Sequence, residues 1–304
     1  MNDTAAIDPG LASVPGRQPP RAGSLIVTVF GDSISELGNV VGLSSLIGIL
    51  EPFGLNARQI RTAVFRLTRD NWLSCVKQGR KSYYSFTEFG QRQYERSAQR
   101  IYAARPAAWD GLWTLVLASF VEGSARDELR RELSWLGFGS IAPGVLAHPC
   151  ADQASLAATL HELEVARDAV VMRARTEALR DGQAMNRLAA ETWRLDEFAA
   201  RYISFIENFR SALAAINNGG QGEPARLFEL QTLLIHEYRR ILLKLPDLPD
   251  ELLPAEWPGR DAMQLTAAIY AQTHDQSAAY LEANLEGLNG PLRRLGAIAF
   301  PRFA

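Results

Sequence analysis

Just after Asp70 the spacing of apolar residues changes from a helical to a strand period, and this switch constrains the fold more than any other feature of the chain. From Asn56 to Asp70, the residues Ile60, Ala63, Val64 and Leu67 share one side at about 100° per residue, which predicts a helix with a single buried stripe. From Leu73 the pattern is β-like: Leu73, Cys75 and Val76, then Gln78-Gly79-Arg80-Lys81, then Ser82 to Phe86. Two β-rich runs about a Gly-containing turn predict a hairpin, and this one carries two positive charges at its tip.

Upstream, Leu25, Ile26, Val29 and Phe30 recur at helical spacing in a segment that Gly38 and Asn39 close. A second short helix fits Leu43 to Glu51, ended by Pro52, Phe53 and Gly54. Asn56 is a good N-cap for the third helix, and Asn71 can take the left-handed conformation that ends it. Thr87 then caps a helix to about Tyr102. Three helices followed by a basic hairpin is the order of a winged helix-turn-helix. The Pro- and Gly-containing residues 1–23 hold too little apolar surface to order themselves and are expected to be a disordered tail.

After Arg105-Pro106 the pattern alternates: a strand from Trp113 to Phe120, a helix from Ser124 to Trp135, one strand from Phe138 to Ala147, a helix from Asp152 to Val165 and a strand from Ala169 to Arg173. That alternation predicts a small α+β sandwich. From about Glu191 the chain reads as helices, broken at Asn217 to Glu223 and at the Pro-punctuated Leu245 to Gly259. With 47% hydrophobic and 22% charged residues in 304, the chain is neither fibrous nor disordered as a whole. Its longest uncharged apolar stretch, Leu25 to Phe30, is far short of the ~20 residues of a membrane span, and Cys75 and Cys150 have no CxxC spacing, so two unpaired thiols in the cytoplasm are expected.

Charge is distributed unevenly. Residues 24–104 hold ten basic and six acidic side chains, whereas residues from Arg105 onward hold twenty basic and twenty-six acidic. A basic module on an acidic body suits a polyanion. On the third helix Arg58, Thr62, Phe65, Arg66 and Arg69 fall opposite the apolar stripe, flanked by Gln59 and Arg61. Arg can bond guanine O6 and N7 bidentately and Thr can meet a thymine methyl, while Arg80 and Lys81 at the hairpin tip would touch adjacent phosphates. The candidate DNA-binding set is therefore Arg58, Gln59, Arg61, Thr62, Arg66, Arg69, Arg80 and Lys81. A solvated basic face is the alternative, and Phe65 on the same face is a complication, with packing under the hairpin or against a neighbour as its other placement.

The run Ile60-Arg61-Thr62-Ala63-Val64-Phe65-Arg66-Leu67, with Trp72-Leu73 and Gly79-Arg80-Lys81-Ser82-Tyr83-Tyr84, resembles the N-terminal domain of the PaaX family, transcriptional repressors of phenylacetic acid degradation. The resemblance continues through Trp109-Asp110-Gly111, Trp113, Trp135 to Gly139 with Pro143-Gly144, Leu248-Pro249, Leu252-Leu253-Pro254 and Trp257-Pro258-Gly259. Leu245-Pro246-Asp247 departs from it, standing where an Asp-Pro pair is the pattern. The resemblance implies an α+β multidomain chain: a winged helix-turn-helix at 24–104, a ferredoxin-like α+β domain at 105–190 and a helical effector and dimerisation domain at 191–304. It also implies a homodimer on a palindromic double-stranded DNA operator, released by an acyl-CoA inducer, phenylacetyl-CoA. An aryl-CoA needs cationic side chains beside an aromatic-lined pocket, for which His236, Arg239, Arg240 and Trp257 are candidates, with Arg173 and Arg175 as a second option.

Two other functions compete. Phe30-Gly31-Asp32-Ser33 matches the first block of GDS-type esterases, with Ser33 as nucleophile, but no Asp-x-x-His occurs and no Gly-x-Asn-Asp supplies an oxyanion donor. A protein-binding adaptor built on a winged helix without DNA affinity is the other. Neither a catalytic residue nor a cofactor is expected. Gly137-x-Gly139 runs into Pro143-Gly144 and reads as a turn, and neither His161-Glu162 nor the two cysteines have metal-site spacing.

Overall fold

The computed structural model describes residues 19–102, 109–176, 183–218, 222–295 and 302–303, so the expected tail lies largely outside the described residues. By contact the chain forms two compact units, one of Met1–Ala104, Ile203–Arg240 and Arg260–Ala304, the other of Arg105–Tyr202 and Ile241–Gly259.

The first unit begins with α1 (Ala22–Asp32), in which every residue from Leu25 to Asp32 is buried. A helix apolar nearly all round needs neighbours on every side. It ends early, at Asp32, and a 3-10 turn Ile34–Leu37 carries the chain to Gly38 (φ 102°) and Asn39 (φ 68°). A two-residue strand β1 (Val41–Gly42) leads into α2 (Leu43–Leu50), and α3 (Ala57–Arg69) follows. The start of α3 is fixed by a reciprocal capping box: Gln59 N donates to Asn56 Oδ1 and Asn56 N donates to Gln59 Oε1, both at 2.9 Å. Asn71 (φ 60°) ends it as expected.

Strands β2 (Leu73–Gln78) and β3 (Lys81–Phe86) pair antiparallel from Leu73↔Phe86 to Gln78↔Lys81, leaving Gly79-Arg80 as a two-residue turn. Gly79 sits at φ 61°, the positive φ that such a turn demands and that glycine adopts at no steric cost. Strand β1 adds to the other edge of β3 through Val41↔Tyr84. Thr87 Oγ1 caps α4 (Glu88–Tyr102) by accepting from Gly90 N at 3.0 Å.

In the second unit, β4 (Leu112–Leu117), α5 (Gly123–Trp135), β5 (Gly139–Ala142), β6 (Val145–His148), α6 (Gln153–Glu162) and β7 (Val170–Arg175) build an antiparallel sheet of order β5-β6-β4-β7. The single strand expected from Phe138 to Ala147 is two, because Gly144 at φ 74° turns the chain back. Leu129 and Leu133 of α5 and Leu156 and Leu160 of α6, each pair one turn apart, bury against Val116 and Leu146 on one face of the sheet. Trp113, from the opposite side of β4, stacks on Trp193 at the end of α7 (Gln183–Trp193), with ring centroids 6.2 Å apart.

Three long helices complete the chain: α8 (Leu195–Asn217), α9 (Pro224–Leu242) and α10 (Pro258–Asn284), followed by a small hairpin of β8 (Glu286–Gly287) and β9 (Gly290–Pro291). By contact, most of these helices belong with the N-terminal module rather than to a unit of their own. No described helix is long and apolar enough to cross a membrane.

Candidate nucleic-acid interface

α3 turns Ile60, Ala63 and Val64 into the core of the first unit and leaves Arg58, Gln59, Arg61, Thr62, Phe65, Arg66 and Arg69 exposed. Arg69 is the one member of this face with an ion-pair partner among the described residues, Asp70 at 2.9 Å. Arg58, Arg61 and Arg66 have no acidic partner there, so their charge is available to a ligand. Gln59 is engaged through its side-chain oxygen in the capping box, which leaves only its amide donors free. Thr62 donates its hydroxyl to the Arg58 carbonyl at 2.9 Å, so its methyl is the free end. Phe65 stays on this open face rather than packing under the hairpin, and is 69% exposed.

At the hairpin tip Arg80 is exposed and unpaired among the described residues, but Lys81 Nζ donates to Glu286 Oε2 at 2.9 Å. The same carboxylate raises the Lys81 pKa above its ordinary value. Glu286 belongs to β8, whose backbone N–H donates to Ser45 Oγ of α2 at 3.2 Å, so the C-terminal hairpin lies along β1 beside the basic one. Nothing local in the sequence singles out Glu286.

A buried polar network ties α1 to the later helices of the same unit. Asp32, 1% exposed, accepts from Tyr102, from Tyr270 at 3.2 Å and from Gln231 Nε2 at 3.0 Å. Burial and the Asp32 charge push the Tyr102 and Tyr270 hydroxyls well above the usual tyrosine range. Arg302 donates to Glu36 and to the Tyr94 hydroxyl, at 3.0 and 2.9 Å, and to the carbonyls of Gly31 and Asp32. Burial tends to raise the Glu36 pKa, but His274 at 3.2 Å and Arg302 together hold it below the ordinary value. The Phe30 to Ser33 stretch is thus the anchor of a core: Gly31 leaves room for the Tyr94 ring, Asp32 gathers the donors, and buried Ser33 Oγ meets no partner among the described residues. Among the described residues no histidine bonds the Ser33 hydroxyl.

The effector candidates fall in both compact units. His236 Nδ1 lies 3.0 Å from Thr28 Oγ1, and Arg239 donates to the same oxygen at 2.8 Å, so both pin α9 to α1. Burial holds the Arg239 pKa below its ordinary value. Arg240 pairs instead with Glu237 at the surface. In the second unit Trp257 is buried edge-on to Tyr202, while Arg173 pairs with Asp110 at 3.4 Å on the exposed strand β7; Arg175 follows two residues on. Both cysteines are free, and Cys150 is pushed up to about 11 by burial and by Asp247, Asp110 and Glu251. Among the described residues no group of His, Cys, Asp and Glu is placed to hold a metal.

Three family domains match in succession: residues 21–90 the PaaX-like protein, 106–186 the PaaX protein central Cas2-like domain, and 193–283 the PaaX-like protein C-terminal domain. The chain is 37% identical over 281 residues to the transcriptional repressor PaaX of Escherichia coli strain K12, covering 92% of this chain and 89% of that one. It also shares a fold with an uncharacterized protein of Mycobacterium tuberculosis, at a TM-score of 0.54 and 22% identity over 85% of this chain and 97% of the other.

Proposed function

This chain belongs to the PaaX family of transcriptional repressors, and on that premise we propose that it acts in the cytoplasm as a homodimer that holds a palindromic operator through α3 and the β2–β3 hairpin. The observation that carries the reading is the α3 face, where Arg58, Arg61 and Arg66 stand exposed with no acidic partner among the described residues. The order of three helices and a hairpin supports a winged helix-turn-helix, in which the third helix enters the major groove and the hairpin meets the flanking backbone. Arg58, Arg61, Arg66 and Arg69 then serve bases and phosphates, Thr62 and Gln59 the groove edge, and Arg80 with Lys81 the flanking phosphates. The strand order β5-β6-β4-β7 supports a ferredoxin-like reading of the middle domain.

The operon served is one of phenylacetate catabolism, and the inducer is an acyl-CoA, phenylacetyl-CoA. Among the residues proposed for it, Arg173, His236, Arg239, Arg240 and Trp257, the pair His236 and Arg239 offers a route to the reading head, because both hold α1 through Thr28. A ligand that drew either away would loosen α1, against which α3 packs, and a ligand shifts an equilibrium only by such differential contacts.

The test is anisotropy of a labelled duplex from upstream of an aromatic-acid operon, at fixed salt, with and without phenylacetyl-CoA. Tight binding abolished by the thioester and not by free phenylacetate is the expected result. Binding indifferent to the thioester overturns the inducer assignment, and absence of binding to any promoter duplex overturns the DNA reading in favour of an adaptor.

A further inference from the structure

Electrostatics does not account for Phe65. Its ring is 69% exposed in the middle of the α3 face, with no ring or cation against it among the described residues. Arg61 and Thr62 lie one turn before it, Arg69 one turn after and Arg58 two turns before, so the ring sits inside a frame of guanidinium groups. The Thr62 methyl, freed by the hydroxyl's bond to the Arg58 carbonyl, belongs to the residue one turn before it on the same face. The surface that complements this one is a polyanion with a small apolar patch between its charges.

A second copy of this chain does not meet that description, because the same face would bring the same four arginines, and like charges across an interface disfavour it. Duplex DNA does. Its backbone supplies the negative charge, and the major groove presents one apolar group, the C5-methyl of thymine.

We propose that Phe65 is a sequence-reading residue whose ring packs on one or two thymine C5-methyl groups in the major groove while the surrounding arginines take phosphates and guanine edges. This rests on the reading of α3 as the DNA-contacting helix. It assigns the half-site an obligatory thymine beside the positions read by Arg61 and Arg69.

The test replaces thymine by deoxyuridine, which removes the methyl group and leaves every base-pairing atom. A duplex enriched from a random library by the full chain is resynthesised with single deoxyuridines, and binding is measured by anisotropy for the wild type, Phe65→Ala and Phe65→Leu. In the wild type, one or two positions per half-site are expected to weaken binding by about three- to fivefold, the size of uncovering one buried methyl. The same replacements should have no effect in Phe65→Ala and a reduced one in Phe65→Leu. The salt dependence of Phe65→Ala should match the wild type, since no phosphate contact is removed. Substitution of so exposed a ring leaves the fold intact.

Insensitivity of the wild type to deoxyuridine at every position overturns the proposal while leaving the DNA reading standing, as does a deoxyuridine effect that persists undiminished in Phe65→Ala. A change in sedimentation of Phe65→Ala with unaltered DNA binding would assign the ring to a protein contact instead. Failure to enrich any duplex overturns both readings together.

Discussion

Lys81, at the tip of the basic hairpin, is bonded to Glu286, 205 residues further along the chain, at 2.9 Å. The side chains remain 58% and 49% exposed, so the pair is of the solvent-screened kind that contributes little to stability and is readily exchanged for another anion. A DNA phosphate approaching Lys81 must replace a carboxylate already there. Glu286→Gln is therefore expected to tighten duplex binding by about two- to fivefold at low salt. Lys81→Gln should reduce the slope of log K against log salt by about one. Anisotropy titrations across a series of salt concentrations check both, and an unchanged slope in Lys81→Gln would remove it from the phosphate contacts.

The α3 arginines should separate by what they touch. An arginine bidentate to guanine loses about 1–3 kcal/mol on truncation and relaxes specificity at one base pair, whereas one on a phosphate weakens all sequences alike. Arg61→Ala and Arg66→Ala, measured against the bound duplex and its single-base variants, are each expected to fall into one of these two patterns. An arginine that does neither belongs to the solvated face.

Asp32 and Ser33 are neighbours with opposite expectations. Removing the Asp32 carboxylate strands the buried donors of Tyr102, Tyr270 and Gln231, so Asp32→Ala should cost about 3–5 kcal/mol in denaturant unfolding. Ser33 Oγ is buried with no partner among the described residues, so Ser33→Ala should be neutral or stabilising by up to about 1 kcal/mol. An esterase nucleophile would instead show hydrolysis that Ser33→Ala abolishes.

Acid should undo the Glu36 contacts. With its folded pKa below the ordinary 4.5, Glu36 contributes stability that is present above that value and is lost as pH falls through the folded pKa. Urea midpoints taken from about pH 7 down to about pH 3.5 should therefore fall more steeply for the wild type than for Glu36→Gln. Glu36→Gln should start lower at neutral pH, because it leaves buried Arg302 without its carboxylate partner. Parallel curves would show that the ion pair does not set the acid limb.

Most of the local architecture was legible in the residues. The Asn56 cap, the Asn71 stop, the Gly79 turn and the buried stripe of α3 all follow from chemistry within a few positions, since caps, turns and helical period are properties of neighbouring residues. The exposed arginines were legible for the same reason, as the faces of a helix are fixed by its period. Where the structure differs, the cause is partly local and partly distant. The strand expected from Phe138 to Ala147 is a hairpin turned at Gly144, and its second strand, β6, then pairs with β4. The sequence left both placements of Phe65 open, and the placement of the neighbouring elements leaves it bare.

Period, capping and charge act over one or two turns of chain, and they were enough to specify a basic N-terminal module of three helices and a charged hairpin. Long-range packing set the rest: Asp32 gathers Tyr102, Gln231 and Tyr270, His236 and Arg239 hold α1, and Glu286 reaches Lys81. Those partners are separated by 70 to 238 residues, and a buried carboxylate accepts any donor that packing delivers to it. Which donors arrive is set by how α9 and α10 pack around α1, a choice made by the whole core and written in no single stretch of the chain.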